Sequence, residues 1–249
     1  IQKAVALFTL AATKENSFAA FALGKLYLAG DAALPRDPAA ALKWLTYAAE
    51  LGNQFAQYRL GKLLLKGDDG IPKDVITAIR WLTAAAKQEN GYAEYALALV
   101  YLTGEDAPKD SVKALSLLKR SAGRGNQFAQ YRLGKLLLQG EDAPKDVKAA
   151  IRWLTAAAEQ GNQYAQYALG KLYLLGKEVP KDRSSAIKWF QLAADQGNEY
   201  AQYFLKHMDD RLGQPPVAAV ISLFHHLANI FQEQNQPPPS GGVRVAVDR

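Results

Sequence analysis

Two kinds of amphipathic stretch alternate along most of the chain. In residues 53–66 the apolar side chains recur at the spacing of one helix face: Ala56, Leu60, Leu63 and Leu64. The same spacing returns after Asp74, with Ala78, Ile79, Trp81, Leu82, Ala85 and Ala86. Asn53 and Asp74 precede these stretches, and both are residue types that cap the first turn of a helix. The pattern therefore predicts two helices, A and B, joined by a loop that contains glycine and proline.

The helix pair recurs at a fixed period along the chain. Fourteen residues from Gly52 to Leu65 reappear unchanged from Gly125 to Leu138. The aspartate that caps helix B returns every 36 or 37 residues, at Asp37, Asp74, Asp110, Asp146 and Asp182. Such self-similarity predicts a solenoid in which each unit contacts chiefly its neighbours. We predict one array over residues 1–212, divided into a half repeat 1–15, five full repeats 16–52, 53–89, 90–125, 126–161 and 162–197, and a partial repeat 198–212.

Glycine recurs at two places in the unit, and each recurrence predicts a structural role. One column lies inside helix A, where glycine costs about 1 kcal/mol relative to alanine: Gly24, Gly61, Gly134 and Gly170. Ala98 occupies this column in the third repeat, so we expect a close helix contact that demands a small side chain rather than a special backbone angle. The dipeptide Gly52-Asn53 and its three copies should end one helix with a left-handed glycine and cap the next.

The most regular copy of the unit, residues 162–197, carries a distinctive pattern: Ala165, Leu169-Gly170, Tyr173, Gly176, Val179-Pro180-Lys181-Asp182, Ala186, Trp189, Ala193-Ala194 and Gly197. This pattern resembles the Sel1-like repeat, a relative of the tetratricopeptide repeat. The resemblance covers nearly all of residues 1–212. It implies an all-α fold, a right-handed superhelical solenoid of helix pairs that acts as an adaptor or scaffold and has no catalytic residues of its own.

One side of helix A is the predicted partner-binding surface. If the apolar residues face the stack, the opposite side carries aromatic and basic side chains, and in superhelices of the resembled kind that side is concave. We predict that a partner contacts Tyr58, Arg59, Lys62, Tyr95, Tyr131, Arg132, Lys135, Tyr167 and Lys171. An aromatic row beside a basic row suits an acidic or aromatic-bearing peptide. In the alternative interpretation, the tyrosines pack between neighbouring A helices and the lysines are merely solvated.

Charge leaves a second class of partner open. The 249 residues carry a formal net charge of +6, with a pI near 9.3, and interleaved aromatic residues can stack on single-stranded nucleic acid. Acidic residues recur in the loops, however: Asp68, Asp69, Glu105, Asp106, Glu141 and Asp142. The basic character is therefore not global, which favours a protein or peptide partner. These loops lack the ligand spacing of a calcium loop, so we predict solvated turns and no metal site.

The sequence gives no sign of catalysis. It has no cysteine and three histidines, and two of these, His225 and His226, are adjacent rather than spaced as zinc ligands. No phosphate loop, G-x-S-x-G or H-E-x-x-H motif occurs. We therefore predict a protein that is not an enzyme and needs no cofactor. No apolar run approaches the roughly 20 residues that span a bilayer, and we expect a soluble, cytoplasmic protein.

Both ends of the chain depart from the repeat. Residues 1–15 align with the second half of a unit, so we expect a fragment whose Leu7 and Phe8 are exposed. Residues 215–234 form an amphipathic stretch that we interpret as a capping helix, or alternatively as a partner-binding helix, and residues 235–249 as a flexible tail rich in proline and glycine. The stretch 223–231 is similar to the ends of some plasmid-mobilisation relaxases, which implies an alternative role as an accessory domain of a nucleic-acid-processing protein.

Overall fold

The protein is an array of α-helices that pack consecutively along the chain. The computed structural model describes residues 2–67 and 70–208, and this part contains twelve helices and no strand. Each helix packs against the next, which confirms the predicted all-α repeat fold. The helices are α1 Gln2–Ala12, α2 Ser17–Ala29, α3 Pro38–Glu50, α4 Gln54–Lys66, α5 Val75–Lys87, α6 Gly91–Thr103, α7 Ser111–Gly123, α8 Gln127–Gln139, α9 Val147–Glu159, α10 Gln163–Leu175, α11 Arg183–Asp195 and α12 Glu199–Met208. Even-numbered helices are A helices, and odd-numbered helices are B helices.

Side-chain caps begin the helices at the predicted residues. The Asn53 side chain accepts hydrogen bonds from the backbone N–H groups of Phe55 and Ala56 at the start of α4. The Asp74 side chain accepts one from Thr77 at the start of α5. The same caps recur in the other full repeats, and Gly52 precedes its capping asparagine with φ of 84°. Each such cap stabilises its helix by about 1 kcal/mol.

The glycine column inside the A helices marks the closest contact within each repeat. A Cβ atom on Gly134 would lie 2.7 Å from Leu154 Cγ and 3.1 Å from the Ala150 carbonyl oxygen. Leu154 is fully buried in the core, so it has little room to move. The required feature is therefore a small side chain where the B helix of the same repeat crosses helix A, as the sequence predicts.

We expect Gly134→Ala to lower the free energy of unfolding by about 1–2 kcal/mol, since overpacking outweighs the gain of about 1 kcal/mol in helix propensity. Ala98→Gly in the third repeat is the matched control, and it should also destabilise, by about 1 kcal/mol, because there the methyl group fits. Urea denaturation measures both. A Gly134→Ala variant more stable than the parent would contradict the close contact.

A buried polar site joins the helices of the second, fourth and fifth repeats to the preceding repeat. In the second repeat the Gln57 amide donates to the Ala49 carbonyl oxygen at 3.0 Å, and the Gln88 amide donates to Gln57 Oε1 at 2.9 Å. Glutamine pairs with the same geometry occur in the fourth and fifth repeats. These bonds satisfy polar groups that would be costly to leave unpaired inside the stack.

The third repeat replaces this glutamine pair with charges. Glu94 occupies the Gln57 column and is fully buried, while Arg124 occupies the Gln88 column. Arg120 Nη2 lies 2.6 Å from Glu94 Oε1, and Arg124 Nε lies 3.4 Å from Glu94 Oε2. Both partners changed type together, so the carboxylate keeps counter-charges at ion-pair distance, although neither of its oxygens meets hydrogen-bond geometry. We did not foresee this ion-pair cluster, although the paired change in the two columns is visible in the sequence.

Candidate partner-binding site

Apart from Tyr167, the predicted site residues are partly exposed on the A helices, where the tyrosines also pack against the edge of the core. In α4 the residues predicted to face the stack, Leu60 and Gly61 among them, are buried. Tyr58, Arg59 and Lys62 are partly exposed on the same helix. We call this surface of α2, α4, α6, α8 and α10 the A-helix face. Its cations are Lys25, Arg59, Lys62, Lys66, Arg132, Lys135 and Lys171.

Aromatic rings on the A-helix face pack in pairs between neighbouring A helices. One ring on each A helix from α2 to α10 meets a ring on the next A helix, with centroids 5.9–6.3 Å apart: Phe21–Phe55, Tyr58–Tyr92, Tyr95–Phe128, Tyr131–Tyr164 and Tyr167–Tyr200. Burial raises the pKa of Tyr58 to about 12 and also raises the pKa values of Tyr95 and Tyr131. The tyrosines thus do pack between repeats, as the alternative interpretation holds.

The second member of each pair forms an aromatic row that the sequence analysis did not include in the site. Phe55 and Tyr92 are 47% and 54% exposed, more than the tyrosines that we predicted. Phe18 begins the same column and is also well exposed. Following the Phe55 column through the repeats would have identified this row. These rings are the aromatic surface that a partner can reach.

The lysines of the A-helix face lie over the aromatic rings instead of extending into solvent. Lys62 Nζ is 5.9 Å from the centroid of the Tyr58 ring, and Lys135 Nζ is 5.8 Å from that of Tyr131. Burial, followed by the charges of Arg132 and Lys171, lowers the pKa of Lys135 to about 8. Burial also lowers the pKa values of Lys62 and Lys171. The cations are therefore partly desolvated, which strengthens their attraction for an anion.

Two arginines carry a buried donor without an acceptor. The Nε atoms of Arg59 and Arg132 are buried, and neither has a hydrogen-bond partner among the described residues. The two residues lie at the same position of the identical fourteen-residue segments. A buried donor without a partner costs about 1–3 kcal/mol. An acceptor supplied by a bound ligand would offset this cost at both positions.

Tyr167 differs from the prediction that it contacts a partner. Its ring is only 5% exposed and packs against Phe190 and Phe204, with centroids 5.8 and 6.2 Å away. The cause is local: Phe190 replaces the leucine that other B helices place against the glycine column, and Phe204 stacks on it at 5.2 Å. The two phenylalanines cover Tyr167, whereas Lys171 on the same helix remains partly exposed.

The A-helix face carries a large excess of positive charge. Helices α2, α4, α6, α8 and α10 together carry seven cations and a single acidic residue, Glu94. Glu94 is fully buried and paired with Arg120 and Arg124, so its carboxylate does not reach the surface. The exposed charge of this face is thus entirely basic. An arrangement of basic and aromatic groups of this kind binds carboxylates through charge-assisted hydrogen bonds and cation–π contacts.

Two of the acidic loop residues form ion pairs between repeats, whereas Asp68 and Asp69 lie outside the described residues. Asp106 and Asp142 each pair with a lysine of the preceding loop, Lys73 at 2.6 Å and Lys109 at 2.8 Å. They are therefore ion-paired across repeats and not simply solvated turns. In residues 2–67 and 70–208 no group of three or more His, Cys, Asp or Glu side chains could hold a metal ion. Within the same residues, every helix is too short or too polar to cross a membrane.

The structure describes helix α1 near the start of the chain, but it does not describe the segments predicted after residue 208. Leu7 and Phe8 of α1 are exposed, as expected from the half repeat. The capping helix predicted over 215–234, the tail over 235–249 and the relaxase-like stretch 223–231 lie outside the described residues.

Comparisons with known proteins agree with the repeat architecture. The family model described as the Sel1 repeat matches residues 1–16, 17–53, 54–90, 91–126, 127–162 and 163–198. No curated protein matches the chain. A crystal structure of a Sel1 repeat protein from Oxalobacter formigenes is 33% identical, with a TM-score of 0.75 over 84% of this chain and 60% of its own.

Two further solved structures are similar. A protective antigen present in uropathogenic Escherichia coli strains is 34% identical, with a TM-score of 0.74 over 84% of this chain and 45% of its own. An immunity protein from Pseudomonas aeruginosa is 22% identical, with a TM-score of 0.53 over 88% of each chain, and shows the fold alone. The chain spans about half the length of the first two structures. The six matched segments cover most of its residues, and the chain therefore belongs to the Sel1 repeat family.

Proposed function

We propose that this chain is a protein-interaction scaffold whose A-helix face, on the concave side of the solenoid, holds an acidic segment of a partner protein. Sel1 repeat proteins are generally scaffolds for protein interactions. The observation that carries the proposal is the charge of the face: seven cations accompany one acidic residue, which is buried. The proposal assigns no catalytic role and no cofactor to the chain.

The ring contacts favour a peptide over a nucleic acid. Bases stack on aromatic faces that are free, whereas Tyr58, Tyr95 and Tyr131 are each paired with a ring of the next helix. Lys62 and Lys135 cover further surface of the Tyr58 and Tyr131 rings. A carboxylate needs only the cations at the rim of these rings, which are partly exposed. The accessible Phe55 and Tyr92 rings suit apolar or aromatic side chains of the same segment.

A binding titration distinguishes the two classes of partner. The probes are a glutamate-rich peptide with interspersed aromatic residues, its glutamine-substituted counterpart, and single-stranded oligothymidylate, each followed by fluorescence anisotropy at about 50 and 150 mM salt. We expect the acidic peptide to bind and the glutamine peptide not to bind. Tighter binding of the oligonucleotide than of the acidic peptide at both salt concentrations would overturn the proposal.

The lowered pKa of Lys135 predicts that binding depends on pH. The free protein holds a proton on Lys135 below about pH 8 and loses it above that value, while peptide glutamates stay ionised throughout. Raising the pH from 7 to 9.5 should therefore lower the affinity for the acidic peptide by about tenfold, which corresponds to the loss of one charge-assisted hydrogen bond. Lys135→Arg is the control, because arginine stays charged over this range. Equal pH dependence in both proteins would contradict the assignment.

A further inference from the structure

Four of the seven cations of the A-helix face form two clusters with the same pair of residue types; the others are Lys25, Lys66 and Lys171. The second repeat carries Arg59 and Lys62, and the fourth repeat carries Arg132 and Lys135 at the same positions. Between them, the third repeat has Ala96 and Leu99 in the same two columns. The only acidic residue on helix A of this repeat, Glu94, is buried, and the exposed aromatic ring is that of Tyr92. Along the array the face therefore alternates from basic to apolar and back to basic.

The two clusters have the same local geometry as well as the same sequence. The lysine nitrogens lie 5.9 and 5.8 Å from the centroids of Tyr58 and Tyr131. Those rings meet Tyr92 and Tyr164 of the next A helices at 5.9 and 6.1 Å. Both arginines have a buried Nε atom without an acceptor. The chemistry that suits one cluster, an extended chain bearing carboxylates, therefore suits the other.

The separation of the clusters sets the length of a segment that could reach both. Neighbouring A helices contact each other through these aromatic rings, and the distance of about 8–10 Å between the axes of packed helices is therefore the smallest step from one A helix to the next. Two such steps place the clusters at least about 16–20 Å apart. An extended peptide advances about 3.3–3.6 Å per residue. About five or six residues are therefore needed to connect one cluster to the other.

We propose that the A-helix face recognises a bivalent acidic segment, an inference that rests on the proposed function. The segment is an extended peptide with two carboxylate groups about five residues apart and with apolar or aromatic residues between them. The first carboxylate group binds Arg59 and Lys62, and the second binds Arg132 and Lys135. The intervening side chains contact the exposed Tyr92 ring and Leu99. The neutral third repeat thus sets the spacing that a partner must match.

A ligand that contacts both clusters at once should bind with much higher affinity than a ligand that contacts one, provided that its spacing fits. The second contact becomes intramolecular, with an effective concentration that is highest when the linker length matches the span. We expect a peptide with two Glu-Glu pairs five residues apart to bind about 100-fold more tightly than the same composition with all four glutamates contiguous. Spacers of two residues should lose most of this gain, because they cannot span the third repeat.

The experiment compares these peptides by isothermal titration calorimetry against the full chain and three variants. Arg59→Ala and Arg132→Ala should each reduce the affinity for the five-residue-spaced peptide to about that for the contiguous peptide, because each removes a contact to one of the two carboxylate groups. The double variant Ala96→Arg with Leu99→Lys gives the third repeat the residues of its neighbours. It should strengthen the contiguous peptide and remove the dependence on spacing.

The outcomes separate the two proposals. If the contiguous peptide binds the parent protein as tightly as the spaced peptide, the bivalent inference is overturned while the proposed function stands. The same holds if Arg59→Ala and Arg132→Ala differ in effect by more than about tenfold. If neither acidic peptide binds while oligothymidylate does, the proposed function itself is overturned. A single optimum near five residues, lost in the Ala96→Arg/Leu99→Lys variant, supports both.

Discussion

Replacing Arg120 with alanine and Arg124 with glutamine is expected to lower the free energy of unfolding by about 3 kcal/mol or more. The two substitutions remove both cations that pair with Glu94, whose side chain is fully buried. A buried carboxylate without a counter-charge bears the full cost of its lost hydration. Urea denaturation followed by circular dichroism should show a clear fall in the midpoint.

The chain itself supplies the control for this prediction. Adding Glu94→Gln to the double variant gives the third repeat the residues of the second repeat, which has Gln57, Ala84 and Gln88 in these columns. The Gln57–Gln88 hydrogen bond of 2.9 Å shows the pairing that the new glutamines can adopt. We expect the triple variant to recover most of the lost stability. A triple variant as unstable as the double variant would mean that the arginines act through packing and not through their charges.

Reversing the charge of Lys62, Lys135 and Lys171 should weaken binding of the acidic peptide by at least about 100-fold. Lys62 and Lys135 each contribute a charge-assisted contact worth about 1.5–3 kcal/mol, and a glutamate in place of any of the three lysines repels the ligand carboxylates. The side chains are only partly buried, so the helices should remain folded. Fluorescence anisotropy measures the affinity, and thermal denaturation by circular dichroism verifies the fold.

A matched variant excludes a general effect of net charge. Lys87, Lys119 and Lys148 are exposed on the B helices α5, α7 and α9, and their reversal changes the net charge by the same amount. This variant should bind the acidic peptide within about threefold of the parent protein at 150 mM salt, where distant charges are screened. Equal weakening by the two triple variants would show that long-range charge, and not the A-helix face, governs binding.

The architecture was predictable because each local structural signal recurs in several repeats. Asn53 and Asp74 cap helices through contacts within four residues, and such contacts depend little on the rest of the fold. Gly61 was interpretable because Ala98 shares its column, which indicated a limit on size. A glycine seen once would have left the backbone explanation open.

The candidate site was less predictable because its details depend on contacts between repeats. Tyr167 belongs to the same column as Tyr131, but Phe190 and Phe204 bury it. These two phenylalanines are substitutions in columns occupied elsewhere by leucine and by arginine or alanine. Their effect on a third column follows only once the packing of α10, α11 and α12 is known. The exposed row containing Tyr92 was missed for a similar reason, since periodicity alone does not reveal which ring of a pair is covered.

The same comparison of columns shows why the Glu94 cluster escaped notice. Glutamate in a column of glutamines looks like an exposed polar change when that column is considered alone. Arg124 in a second column of glutamines gives the matching signal, but the two columns are 30 residues apart in sequence. Only their contact across α6 and α7 makes the paired change meaningful. Columns that change together in one repeat are therefore the signal to seek in other arrays.

The central claim is that carboxylates of a bound segment lie beside the lysines of the A-helix face. Zero-length carbodiimide cross-linking of the five-residue-spaced acidic peptide to the protein, followed by trypsin digestion and mass spectrometry, tests it directly. The identical segments remain distinguishable because Lys66 is matched by Gln139, so trypsin gives fragments of different length around Lys62 and Lys135. The account predicts cross-links at Lys62 and Lys135. Cross-links confined to lysines of the B helices, such as Lys87, Lys119 and Lys148, would contradict it.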